Sequence, residues 1–376
     1  MLRTFLLLSL LVLATSVVST AQTPLLTIGE PDSLRSDVLD ETRTFWVHLP
    51  ADGIREGERY PVLYLLDGET QLGGMAAVLS YYMYSHAPEM IVVALANYEH
   101  RNRDLTVSKV DVVNGWPIAE SGGADRFLDF MADELIPYID ATYPTTPFRT
   151  LVGHSYGGLF TVNTLLQRPE LFSTYIAMDP SLGWDYPLMM DRARDAFANQ
   201  DFTGKTLFMS IANEIPRFSN TMTIADVETD TTEFSLGMRS ELEFVRMMDD
   251  DDTSGLRGDW KYYEKDLHGS VPLPTMRDGL LFAFDWYELE SPSVYNDPST
   301  PTETLVELIQ ARAERLTSNF GYPMAMEEDL LVMLGIMAMD MMEQPEKAES
   351  ILELAVQYYP ENVEAREALE SLRKNH

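Results

Sequence analysis

The stretch Leu151–Phe160, "LVGHSYGGLF", decides how this chain is read. An apolar, strand-like run enters it and a helical pattern leaves it. Between them Gly153-His154-Ser155-Tyr156-Gly157 fits G-x-S-x-G. That pattern carries meaning only in a strand-turn-helix context, which this one has. The turn is sharp enough to strain the serine backbone, so small neighbours must let strand and helix approach closely. The result presents the Ser155 hydroxyl at the carboxyl end of a sheet. It also sets the Tyr156 amide at a helix N-terminus, where a developing oxyanion is received. His154 adjoins the nucleophile, and its side chain is expected to point away and pack.

On both sides of this stretch, short β-rich runs alternate with helical patterns. "RTFWVHLP", "YPVLYLLDG", "MIVVALAN", "TLVGHS", "TYIAMDPSL", "KTLFMSIAN" and "WKYYEKDL" read as strands. Several are apolar throughout, as expected where helices cover both faces of a sheet. Residues 124–142, 157–167, 187–199, 233–248 and 274–287 read as helices. The alternation predicts an α/β fold with a doubly wound, mostly parallel sheet.

Composition bounds the rest. The chain has 376 residues, 45% of them hydrophobic, which is enough for a large core. The formal net charge is −33, which argues against a nucleic-acid partner, because phosphates call for basic patches. Only six residues are Lys, a composition suited to salty surroundings. The absence of cysteine excludes disulfides, a lipid-modified cysteine and thiolate metal sites. The opening residues place Arg3 before an apolar run, Phe5 to Val18, and small residues Ser19-Thr20-Ala21 after it. This reads as a secretory signal over residues 1–21, with export to the periplasm or beyond and no membrane span once it is removed.

Residues 22–290 read as the α/β domain. The stretch 291–303, "SPSVYNDPSTPTE", reads as a linker by its Pro, Ser, Thr and Asp. Residues 304–376 read as a small all-α domain. There Leu331, Leu334, Gly335, Ala348, Leu352, Ala355 and Pro360 stand at tetratricopeptide-like spacing. Such helices are a candidate surface for a protein partner.

A serine nucleophile needs a base, and in this fold class the order is Ser, acid, His. His268, in "KDLHGSVPLP" after the predicted last strand, is the candidate base. Glu214, directly after "TLFMSIAN", is the favoured orienting acid, Asp179 is its rival, and a Ser-His dyad is the third option. The second oxyanion donor is expected from the turn after "VLYLLDGET", where Gly68 permits close approach and the Glu69 amide points inward. Arg103 is a candidate to hold an anionic substrate group, against a structural ion pair within Arg101, Arg103 and Asp104. Trp184, with Tyr186, Met189 and Met190, either lines an acyl pocket or packs in the core. The acidic run Asp249–Asp252 does not fit a calcium loop and reads as a solvated turn.

Taken together, "YPVLYLLDG", "NRDLT", "SGGADRFLDFMADELIPYI", "LVGHSYGGLF", "DPSLGW" and "LHGSVP" make the sequence resemble the esterase family of α/β-hydrolases over roughly residues 40–287. That group includes feruloyl and acetyl-xylan esterases, S-formylglutathione hydrolases, mycolyltransferases and siderophore trilactone esterases. The likeness is greatest to the siderophore-esterase branch, some members of which carry C-terminal tetratricopeptide-like helices. It implies a serine carboxylic-ester hydrolase acting on a small-molecule ester without cofactor or metal. Ser155 is then the nucleophile, His268 the base, and Glu69 and Tyr156 the oxyanion amides. The acid is left open. Two other readings accompany it: acyl transfer on the same fold, and a non-catalytic scaffold that binds through its C-terminal helices.

Overall fold

The computed structural model describes residues 28–83, 85–113 and 115–375. The proposed signal, residues 1–21, lies outside the described residues. Among the described residues ten strands run in chain order: β1 (Glu30–Ser36), β2 (Glu41–His48), β3 (Tyr60–Leu65), β4 (Ile91–Leu95), β5 (Val112–Val113), β6 (Trp116–Pro117), β7 (Thr145–His154), β8 (Thr174–Met178), β9 (Thr206–Ala212) and β10 (Arg257–Tyr263). Eight form one sheet in the order β1-β2-β4-β3-β7-β8-β9-β10, and β5 and β6 pair as a small separate ribbon. β1 and β2 join antiparallel, and β2 joins β4 antiparallel. From β4 to β10 every pairing is parallel.

The central strands are buried on both faces, which explains why they read as continuous apolar runs. Alternate residues go to opposite cores. Tyr64, Val93, Leu151, Ala177 and Met209 face one, packed by the helices Tyr156–Gln167, Leu188–Asn199 and Leu236–Asp249. Leu63, Leu65, Val92, Val152 and Ile176 face the other, packed by the helices Gly68–Tyr82 and Pro272–Ala283. This is the doubly wound architecture that the alternation predicts. The expected helix over 124–142 forms, with a wider π turn at Met131–Leu135 just before Pro137. Proline supplies no N–H to an ordinary helical ladder, so the wider turn falls where that ladder is already interrupted.

Among the elements not legible in the sequence, two shape the sheet. β1 is half exposed and mixed in composition. The helix Gly68–Tyr82 carries Gly73 and Gly74 in its middle, which weaken its helical pattern. Its tight seat has a visible cause: a Cβ on Gly68 would lie 2.8 Å from the Ala94 carbonyl carbon of β4.

The C-terminal helices are Thr302–Phe320, Glu328–Asp340, Pro345–Tyr358 and Val363–Asn375, with a short helix Pro292–Asn296 inside the expected linker. Leu331, Leu334, Ala348 and Ala355 are buried together, and a Cβ on Gly335 would come within 2.7 Å of Leu352. The helix Thr302–Phe320 belongs to both sides. Leu305 and Ile309 sit in the helical core, while Leu316 and Phe320 pack with Phe148 and Phe284 of the sheet core. Buried Arg312 reinforces the junction by donating to the Tyr287 carbonyl at 2.7 Å and to Glu327 at 3.0 Å. The boundary is therefore a packed seam and not a free tether. Among the described residues no helix is long and apolar enough to cross a membrane.

Candidate active site

Four neighbouring parallel strands, β7 to β10, deliver their following loops to one sheet edge. Ser155 follows β7 directly, with φ 60° and ψ −115°, a backbone conformation that non-glycine residues rarely adopt. Hydrogen bonds over-determine it: its N–H donates to the Met178 carbonyl at 3.0 Å, and its carbonyl accepts from Ser181 and Leu159. The glycines are needed as the sequence implies. A Cβ on Gly153 would lie 2.2 Å from the Gly157 oxygen, and one on Gly158 would lie 2.9 Å from Pro180.

Asp179 follows β8 with φ 45° and is almost wholly buried. Its Oδ1 accepts the Ala212 amide at 2.6 Å, and its Oδ2 lies 2.5 Å from His268 Nδ1. Glu214, the favoured acid, does not meet the ring. It accepts the backbone N–H of His268 at 2.9 Å and pairs with Arg217. The physical reason is reach: Asp179 leaves the adjacent strand in a left-handed turn that aims its short side chain across β9, whereas Glu214 begins a short 3₁₀ turn, Ile215–Arg217. The carboxylate at the ring is thus the rival residue, and Glu214 braces the loop.

His154 does not simply point away. Its Nε2 lies 2.8 Å from the His268 carbonyl, with the two ring centroids 4.5 Å apart. Burial, and then the neighbouring His268, depress it from 6.5 to about 4, so it is neutral near pH 7 and supports the loop as an uncharged ring. Ser155 Oγ lies 3.2 Å from Ser181 Oγ. Among the hydrogen bonds of the described residues this contact, and not one to His268, occupies the hydroxyl. Catalytic contacts of this kind commonly tighten only with substrate bound.

A second carboxyl, unnoticed in the sequence, stands behind Asp179. Glu241 is buried on the inner face of its helix, beside Asp179. Burial, followed by the Asp179 charge, raises its carboxyl well above the ordinary value, which favours the protonated form beside Asp179. A signal existed: Glu241 lies three residues after Met238 and four before Val245, on an otherwise apolar stripe.

The Tyr156 and Glu69 amides stand in the first turns of the helices Tyr156–Gln167 and Gly68–Tyr82, where N–H groups have no intrahelical acceptor. Two such donors near a strained serine suit a developing oxyanion. The Glu69 carboxylate turns the other way and accepts the Asn97 and Tyr98 amides.

Two expected substrate contacts are otherwise engaged. Arg103 spends its donors on Glu41, at 3.0 and 2.6 Å, and on Asp104 at 2.7 Å. Arg103 is also the main reason that the Glu41 carboxyl falls to about 2. This is a structural ion-pair cluster, with buried Arg43 joining Asp104. Trp184 is only 5% exposed. Its indole N–H reaches Ser108, and its ring meets the Tyr156 ring edge-on at 5.2 Å. It packs beneath the site and offers no open wall to a ligand.

The comparisons agree with this architecture. A family model described as "Putative esterase" matches residues 36–222. The ferri-bacillibactin esterase BesA of Bacillus subtilis is 35% identical over 153 residues, which cover 35% of this chain and 52% of that protein. The siderophore triacetylfusarinine C esterase of Aspergillus fumigatus is 32% identical over 150 residues, covering 36% of this chain and 48% of that one. The chain thus matches about half the length of these curated relatives. Among solved structures, an IroE-like serine hydrolase from Shewanella oneidensis aligns with a TM-score of 0.70 at 28% identity, over 88% of this chain and 99% of that one.

Proposed function

We propose that this chain is an esterase of the α/β-hydrolase type that hydrolyses carboxylic esters through a covalent acyl-serine intermediate, a reading supported by its likeness to the esterase family model and to siderophore esterases. Ser155 Oγ attacks the ester carbonyl carbon while His268 takes its proton. The Glu69 and Tyr156 amides donate to the oxyanion that forms. As the tetrahedral intermediate collapses, the carbon–alkoxide bond breaks and His268 returns the proton to the leaving alcohol. Water, deprotonated by the same imidazole, then releases the acid and restores Ser155. Asp179 holds the ring with Nδ1 protonated and Nε2 toward the serine. The observation that carries this reading is the His268–Asp179 pair on loops beside the strained Ser155.

The substrate class follows from the relatives and is part of the proposal: a siderophore-type ester. The protein's charge of −33 opposes a strongly anionic form of such a ligand, and salt would screen that repulsion. We also read residues 1–21 as an export signal, which puts the enzyme outside the cytoplasm; cell fractionation tests this directly. A panel of p-nitrophenyl, feruloyl, sugar-acetyl and trilactone esters, with products identified by mass, tests the class. The expected result is preference for the trilactone by kcat/KM. Preference for a sugar acetate would overturn the substrate assignment. A transferred acyl product in the presence of added alcohols, at the expense of free acid, would assign the protein to acyl transfer.

A further inference from the structure

The two amides read as oxyanion donors come from turns 87 residues apart, Glu69 and Tyr156. One oxygen can use both only if the separation of those turns is fixed to a fraction of an ångström. A single side chain spans them. Arg101 donates through Nε to Asp67 Oδ1 at 2.7 Å and through Nη2 to Asp67 Oδ2 at 3.0 Å. The same Nη2 donates to the His154 carbonyl at 3.1 Å. Asp67 lies two residues before Glu69, and His154 lies two residues before Tyr156.

The surroundings agree. Asp67 takes a left-handed backbone, φ 54°, and its N–H donates to the Asn97 side chain at 3.0 Å. The Glu69 carboxylate is bonded to the Asn97 and Tyr98 amides, in the segment that leads into Arg101. A Cβ on Gly157 would come within 3.3 Å of Asp67 Oδ2, so the carboxylate lies directly against the elbow helix. The guanidinium carbon of Arg101 sits 5.2 Å from the centre of the Tyr156 ring.

We propose that Arg101, acting through Asp67 and the His154 carbonyl, is a positioning residue that holds the Glu69 and Tyr156 amides at the spacing one oxyanion requires. The proposal rests on the reading of those amides given above. A planar fork suits the task, because it reaches two carboxylate oxygens and a carbonyl at once. A lysine, as a single point of charge, cannot. This role differs from holding an anionic substrate, since the fork is spent on the protein itself.

The test uses the full chain with p-nitrophenyl acetate, comparing the parent with Arg101→Gln, Arg101→Lys and Ser155→Ala. Phenylboronic acid serves as the probe of tetrahedral binding, and thermal unfolding checks that each variant is folded. Removing one oxyanion donor costs other enzymes about 10²–10³ in kcat, so a displaced pair is expected to cost about 10- to 100-fold. The prediction for both Arg101 variants is a fall in kcat with KM within about 2-fold of the parent, and a boronate affinity that falls in step with kcat/KM. If Arg101→Gln fails to fold, Arg101→Lys, which keeps a cation beside Asp67, carries the same readout. Parental kcat and boronate affinity in a folded variant, or a loss confined to KM, would overturn the clamp. Ser155→Ala separates the two levels. If it is inactive while the Arg101 variants match the parent, only the clamp falls. If it is fully active, the reading of the site falls and the clamp with it.

Discussion

His268 Nδ1 lies 2.5 Å from Asp179 Oδ2, and the other Asp179 oxygen is held by the Ala212 amide at 2.6 Å. One carboxylate oxygen is thus held by the backbone of β9 and the other meets the imidazole, which fits the proposed orienting role. Asp179→Asn is expected to lower kcat by about 10³–10⁴, the scale at which losing the orienting acid or its correct tautomer acts in serine hydrolases. Glu214→Gln keeps an acceptor for the His268 N–H and should cost less than about 10-fold. Steady-state kinetics on p-nitrophenyl acetate compare the two. A larger loss for Glu214→Gln would return the orienting role to that residue.

Glu241 makes stability depend on pH in a predictable direction. Its carboxyl is raised well above 4.5 by burial. Above that pH the unfolded chain loses the proton while the native chain keeps it. The native state then binds more protons, so stability falls as pH rises. Glu241→Gln retains an N–H donor toward Asp179 and has no proton to lose. Its stability relative to the parent should grow by up to about 1.4 kcal/mol per pH unit above ~4.5, until the parent's carboxyl ionises. Urea midpoints at pH 5, 6, 7 and 8 measure this. A constant gap between variant and parent would contradict the protonated state.

His154 works in the opposite direction. Its native value is depressed from 6.5 to about 4. Below 6.5 the unfolded chain takes up a proton that the native chain refuses. Stability from this group is complete above 6.5 and is lost as pH falls toward 4, about 3 kcal/mol in all. His154→Gln can still donate to the His268 carbonyl and should flatten the acid limb of the stability profile between those values. An unchanged acid limb would show that His154 titrates normally.

Much of this was legible in the sequence because it depends on local pattern. Apolar runs bounded by helical periods gave the sheet, and the small residues around Ser155 gave the elbow, since no Cβ fits at Gly153 or Gly158. The order of Ser155 and His268 along the chain pointed to two loops that the fold delivers to the same sheet edge. What was missed depends on directions that pattern does not encode. Asp179 and Glu214 both follow strands, and only the left-handed turn at Asp179, φ 45°, decides which one faces the ring. Arg103 and Arg101 lie two apart in one loop. The fold spends the first on Glu41 and Asp104, and the second on Asp67 and the elbow. Trp184 reads as a pocket aromatic until its indole N–H is seen to end on Ser108. The helix Gly68–Tyr82 was hidden by Gly73 and Gly74 in its middle, although a Cβ at either would meet only ordinary contacts, 3.9 Å to Ile28 and 3.5 Å to the Met276 sulfur.

Covalent capture decides whether Ser155 is the activated nucleophile of this site. The folded chain is treated with a fluorophosphonate probe at neutral pH, digested, and mapped by mass spectrometry, with Ser155→Ala treated in parallel. The expected result is one phosphonyl group per chain, on Ser155, with loss of esterase activity in step with labelling and no label on Ser155→Ala. A folded parent that hydrolyses p-nitrophenyl acetate yet stays unlabelled at Ser155, or carries the label on another residue, would contradict it.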